Sequence, residues 1–248
     1  MATKKKPAKT PGSTPAKKAG KRPRSVVARQ RQREKMRQRA FAVGAVALAL
    51  LLIAGVAGWY VYQEQRPEPS TAPPPASADA AGVKVGTGPV TVDVYLDFMC
   101  PHCKEFEDGA ATTLDTLVSS NAATVVYHPL AFLDRFSTTN YSTRSAAASG
   151  CASDAGKFVE YAKVLYANQP PENSPGLDDN KLIELAGTAG IDTTAFGQCV
   201  KDGKHTSWVD GVTEAATKAG VNGTPTVLVN GKKVDATPDA INAAVSAA

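Results

Sequence analysis

Cysteine is absent from the first 99 residues of this 248-residue chain, only four occur after that, and there are only three histidines. So few cysteines exclude a knottin-like scaffold held together by disulfides. Twenty glycines without a three-residue period exclude a collagen-like rod, and a hydrophobic share of 43% excludes a wholly disordered chain. No internal repeat is visible. Acidic residues are almost missing from residues 1–40, where Glu34 stands alone against fifteen of the 28 Lys and Arg. The remainder is therefore acidic, the overall charge of +5 describes neither part, and a soluble basic nucleic-acid-binding domain does not fit.

Charge is also missing from Phe41 to Tyr62, a run of 22 residues. As a helix rising ~1.5 Å per residue it covers the ~30 Å hydrocarbon core, and it reads as one N-terminal transmembrane helix. The basic residues before it place the N-terminus in the cytoplasm, with Trp59, Tyr60 and Tyr62 as the outer aromatic belt. Ala76-Ser77-Ala78 resembles a cleavage site, but the apolar run exceeds an ordinary signal core and the tripeptide lies far beyond it, which favours an uncleaved anchor. Residues 1–40 read as a disordered basic cytoplasmic tail and residues 63–82, with five prolines, as a stiff extended spacer. Residues 83–248 form one globular domain outside the membrane.

Within that domain the pattern predicts strand, turn and strand from Gly82 to Phe98, a helix from Cys100, and a strand at Thr124–His128. A helical block follows at about 137–220, with Asp192 as an N-cap. A hairpin turning at Asn230-Gly231 and a last helix from Pro238 end the chain. Phe158, Tyr161, Leu165 and Tyr166 fall at helical spacing and read as core. His128 and His205 read as surface or capping residues.

The stretch FMCPHC carries the chemistry. Cys100 sits where a strand passes into a helix, and a helix N-terminus favours an anion such as a thiolate. Cys103, three positions on, shares its face within disulfide reach, as reversible dithiol exchange requires. A zinc ribbon needs a second CxxC pair, which is missing, and a c-type haem needs histidine where Lys104 stands. No metal or other cofactor is expected; spacing alone leaves a plain structural bridge open.

DFMCPHCKEFE and the downstream VNGTPTVLVNG together resemble the DsbA-like branch of the thioredoxin superfamily over essentially all of residues 83–248. The resemblance implies an α/β thioredoxin-like fold with an inserted helical domain, and a thiol:disulfide oxidoreductase acting on reduced exported proteins. It implies Cys100 as nucleophile, Cys103 as resolving thiol, His102 as a stabiliser of the thiolate, and Thr224 and Pro225 as substrate-groove residues. A membrane partner of the DsbB or VKOR type would reoxidise the pair. The buried acid that many members carry six positions before the nucleophile is Val94 here, and Asp97 is the nearest substitute, with a polar strand end as its simpler reading. An isomerase or reductase on the same fold, or an anchored non-catalytic binding module, are the competing functions. Three further expectations are a structural disulfide between Cys151 and Cys199 in a block with few large apolar residues, a cis Thr224–Pro225 bond, and an acidic, exposed Cys100 thiol.

Overall fold

The computed structural model describes residues 33–37, 41, 43–44, 48–59, 72–74, 76 and 81–248 and divides into two units, Met1–Arg66 and Pro67–Ala248. In the first unit residues 48–59 are helical, with Leu48, Leu50, Leu51, Leu52, Ile53, Val56 and Trp59 all exposed. Among the described residues no helix is long and apolar enough to cross a membrane. The expected span 41–62 lies partly outside the described residues, as do most of the 1–40 tail and the 63–82 spacer.

The second unit is built on a five-stranded sheet of order β1-β3-β2-β4-β5. Its strands are β1 Val83–Val85, β2 Val90–Leu96, β3 Ala123–Pro129, β4 Thr226–Val229 and β5 Lys232–Val234. β2 and β3 are parallel and every other pairing is antiparallel. β2 alternates valine and leucine with Thr91, Asp93 and Tyr95, and neither set is exposed, so both faces of the sheet are covered. β1 and β2 are neighbours in sequence but not in the sheet, because β3 lies between them. The crossing depends on Gly88, where a Cβ would lie 2.3 Å from the Ala123 nitrogen.

Helix α1, Pro101–Ser119, follows β2 and buries Cys103, Phe106, Ala110, Leu114 and Leu117 along one face. The helical block between β3 and β4 holds α2 Tyr141–Asp154, α3 Phe158–Ala167, α4 Asp179–Thr188, α5 Thr193–Lys201 and α6 Thr206–Lys218. Helix α7, Pro238–Ser246, closes the chain. Carboxylates of Asp178 and Asp192 accept from backbone N–H groups in the first turns of α4 and α5, and the Thr237 hydroxyl does so for α7. Small residues let α2 be buried almost all round, so it forms the centre of the block. Cys151 on α2 and Cys199 on α5 are joined by a disulfide. The block nevertheless has a substantial core of large side chains, with Tyr161, Leu165, Tyr166, Leu182, Phe196 and Trp208 all buried. This corrects the expectation of few large apolar residues there.

The two histidines read as surface or capping residues are both buried, and His205 stands at the N-cap of α6 without a capping bond from its side chain. His205 sits in a slot that only a glycine at position 150 leaves open, a Cβ there lying 2.8 Å from the ring, and its Nε2 is 2.8 Å from Asp154. His128 stacks on Tyr95 at 4.2 Å, donates from Nδ1 to the Ala81 carbonyl and pairs through Nε2 with Asp93. The proline-rich spacer is likewise not free along its whole length. Ser153 donates to the Pro74 carbonyl, Ala76 forms an isolated bridge with Val83, and Ala72 packs against the core.

Candidate active site

β2 ends at Leu96 in the middle of the sheet, and the next four residues turn the chain into α1. Phe98 and Met99 are fully buried, which anchors the turn, and the Cys100 N–H donates to the Asp97 carbonyl at 3.0 Å. Cys100 is then the N-cap of α1 with Pro101 in the first turn, where a missing N–H costs nothing. Cys103 lies one turn on, inside the core, and its sulfur accepts from the Asp97 N–H at 3.5 Å. Both thiols are free in this structure.

The loop before β4 approaches from the other side. Its Thr224–Pro225 bond is cis, and the Cys100 thiol donates to the Thr224 carbonyl at 3.4 Å. The structure thus brings together Cys100, Cys103, Thr224 and Pro225 from the two ends of the domain. A groove of about 440 Å³ opens beside them, lined by Phe132, Leu133, Arg135, Glu172 and Val221 together with Cys100. A larger cavity of about 580 Å³ between β1 and α3 holds no thiol, so chemistry rather than volume locates the site.

The two thiols are driven apart electrostatically. Cys100 is lowered to about 5, chiefly because the Cys103 thiol donates to its sulfur. Burial opposes this, and the Thr224 side chain and the backbone N–H groups of Cys103 and His102 reinforce it. Cys103 is pushed well above the ordinary thiol range by burial and by its place as donor to Cys100. The acidity of Cys100 agrees with its expected character, but its exposure does not: the residue is only 6% exposed, covered by the neighbours that tune it. His102 follows Pro101 in the first turn of α1. Its imidazole is largely exposed and bonded through Nδ1 to Glu105 at 2.9 Å, and Glu105 more than Cys100 raises its basicity.

Asp97 is more than a polar strand end. It is fully buried, and its Oδ1 accepts from Met99 N–H and the Ser142 hydroxyl while Oδ2 accepts from Leu133 N–H. Burial raises it to about 7 in spite of these donors, and the charge of Cys100 pushes the same way. A carboxyl raised above its unfolded value stabilises the fold fully below that value, near pH 4, and loses the contribution as pH rises through about 7. Asp97→Asn is expected to turn an amide N–H toward Leu133 N–H and cost roughly 1–3 kcal/mol, while removing this decline between pH 4 and 7. Denaturant titrations of both proteins across that range check it; parallel pH curves would contradict it.

One contact had no signal in the sequence. Gln169, just beyond α3, donates its side-chain amide to both the Phe98 and the Cys100 carbonyls, at 3.0 and 2.9 Å.

The family profile described as thioredoxin matches residues 86–247. The chain belongs to the thioredoxin family. Among solved structures of this family, reduced DsbA from Mycobacterium tuberculosis is 33% identical, with a TM-score of 0.60 over 67% of this chain and 91% of that one. The reduced disulfide bond oxidoreductase DsbG from the same organism is also 33% identical, with a TM-score of 0.58 over 69% of this chain and 84% of that one. The serine/threonine-protein kinase PknE of M. tuberculosis is 36% identical over 159 residues, 60% of this chain but 28% of the kinase. The chain therefore spans less than a third of that curated relative. Within the thioredoxin family its likeness is to the DsbA and DsbG structures.

Proposed function

We propose that the chain is a membrane-anchored oxidase that donates disulfides to reduced exported proteins through Cys100 and Cys103. The opposed acidities of the two thiols carry this reading. A thiolate held at Cys100 favours the reduced pair, because the disulfide has no charge there to stabilise, and a pair that prefers to be reduced is a strong oxidant.

In the reaction a client thiolate attacks Cys100 Sγ of the disulfide, and Cys103 leaves and takes a proton. The second client thiolate then attacks the client sulfur joined to Cys100, and Cys100 departs as a thiolate. The client loses two electrons, and the Cys100–Cys103 pair gains them. Thr224 and Pro225 flank Cys100 and would bind the client as extended chain beside it. His102 supports the thiolate through its backbone N–H and, more weakly, through the charge of its imidazole. Cys151–Cys199 is a structural bridge that takes no part.

Residues 41–62 are proposed to span the membrane, with residues 1–40 in the cytoplasm and the catalytic domain outside. The uncharged run and the exposed apolar side chains of helical residues 48–59 support this. The electrons would then pass to a membrane reoxidant of the DsbB or VKOR type.

The test is a glutathione redox equilibrium followed with pH. Reduction takes up two protons below the Cys100 value and one above it, so the potential should fall by about 59 mV per pH unit in acid and about 30 mV above a break near pH 5. A break near the ordinary thiol value, with a thioredoxin-like potential, would leave a reductase or isomerase instead. Sedimentation of the full chain with membranes, lost when residues 41–62 are deleted, checks the anchor.

A further inference from the structure

We propose that Gln169 is a positioning residue for the redox pair: its side-chain amide holds the carbonyls of the turn that carries Cys100 and thereby sets how strongly the pair oxidises. The proposal rests on the role given to Cys100 above. Both acceptors of Gln169 are main-chain carbonyls, so the nitrogen end of its amide faces the turn. Phe98 is fully buried, and a carbonyl left without a partner there would carry the full cost of its desolvation. The Cys100 carbonyl also accepts from Cys103 and Lys104 N–H at the start of α1, so Gln169 grips the same peptide that begins the helix.

The residue is itself held rigidly. Its N–H donates to the Tyr166 carbonyl, and Tyr166 is a buried residue of α3 whose hydroxyl donates to the Asp97 carbonyl. Pro170 and Pro171 follow directly and restrict the chain on the other side. The main chain that carries the amide is thus restrained, and its two hydrogen bonds hold the amide against the turn.

The electrostatic consequence follows from the sign of the groups. The Gln169 NH₂ group sets the positive end of its dipole against the turn that carries Cys100, where positive charge favours a thiolate. The disulfide form carries no charge on Cys100, so the amide acts almost wholly on the reduced form. Removing it raises the free energy of the reduced pair and makes the enzyme a weaker oxidant.

Three variants test this, read by glutathione equilibrium and by thiolate absorbance of Cys100. Gln169→Met keeps the shape but has no donor; it should favour the oxidised pair by roughly tenfold, about 30 mV, and raise the Cys100 titration in parallel. Gln169→Glu should move both readings further the same way, whereas Gln169→Lys, which keeps donors and adds positive charge, should leave the pair at least as oxidising as the unaltered protein. All three disturb packing, so a purely structural role predicts lower melting temperatures with one common redox behaviour. Glu and Lys variants that shift together, or titrate like the unaltered protein, would overturn the proposal. Should the Met variant fail to fold, the opposed Glu and Lys pair still decides it. A thioredoxin-like potential in the unaltered protein would instead count against the oxidase reading and leave the ordering of the variants to be read separately.

Discussion

Cys103→Ser should turn the enzyme into a trap. Client proteins should accumulate as mixed disulfides through Cys100, because Cys100 borders the open groove while the partner that would release the client has been removed. Cys100→Ser should capture nothing and lose all turnover, since Cys103 is buried in the core at 1% exposure and held above the ordinary thiol range. Non-reducing electrophoresis of both variants with a client whose own cysteines are already paired separates the two outcomes: the Cys100 thiolate attacks that disulfide, one client sulfur joins Cys100, and the other leaves as a thiolate. Equal trapping by the two would mean that the burial of Cys103 does not decide which sulfur is attacked. It would then remove the reason for assigning the nucleophile.

The second large effect falls on stability rather than catalysis. Replacing Cys151 and Cys199 by alanine opens a loop of 48 residues, and the chain-entropy account puts the loss at about 4 kcal/mol. For a domain of this size that lowers the melting temperature by roughly 8–16 °C. The CPHC pair shares no element with this disulfide, since α1 carries the one and α2 and α5 the other, so the redox equilibrium should not move. Calorimetry and the glutathione equilibrium on the double variant test both halves. A loss under about 1 kcal/mol would mean that the core of Tyr161, Leu165 and Trp208 holds the block without the bridge.

These results also indicate which features can be read from a sequence. Cys100 and Cys103 were legible because three residues of spacing and a strand-to-helix change fix their geometry locally. Asp192 was legible as a cap for the same reason, and it accepts from Thr194 N–H as expected. His205 and His128 were not, because their partners are remote in the chain: Asp154 lies 51 residues from the one and Asp93 35 from the other. A hydrogen-bonded pair of this kind has no periodicity to reveal it. Asp97 stood in an ambiguous position, and its role depends on Leu133 and Ser142, which the fold brings from other elements. Gln169 belongs to no motif at all. The strand order is not legible either, since nothing in VKV announces that β1 pairs with β3 rather than with β2.

The contacts of Ala72, Pro74 and Ala76 have a mechanical meaning. Tension arriving along the chain from the N-terminal side meets Ala72 packed on the core, then Pro74, held by the Ser153 hydroxyl, and Ala76, bridged to the edge strand β1. Ser153 lies two residues beyond Cys151 on α2, and the disulfide spreads that load to α5. β1 passes its share to β3 through its antiparallel pairing. The turn of Cys100 hangs on other supports, namely Asp97, Gln169 and Thr224. Such a load enters through the cross-linked helices and the sheet edge, and it reaches the reactive turn through Ser142 of α2, which donates to Asp97, and through β3, which pairs with β2.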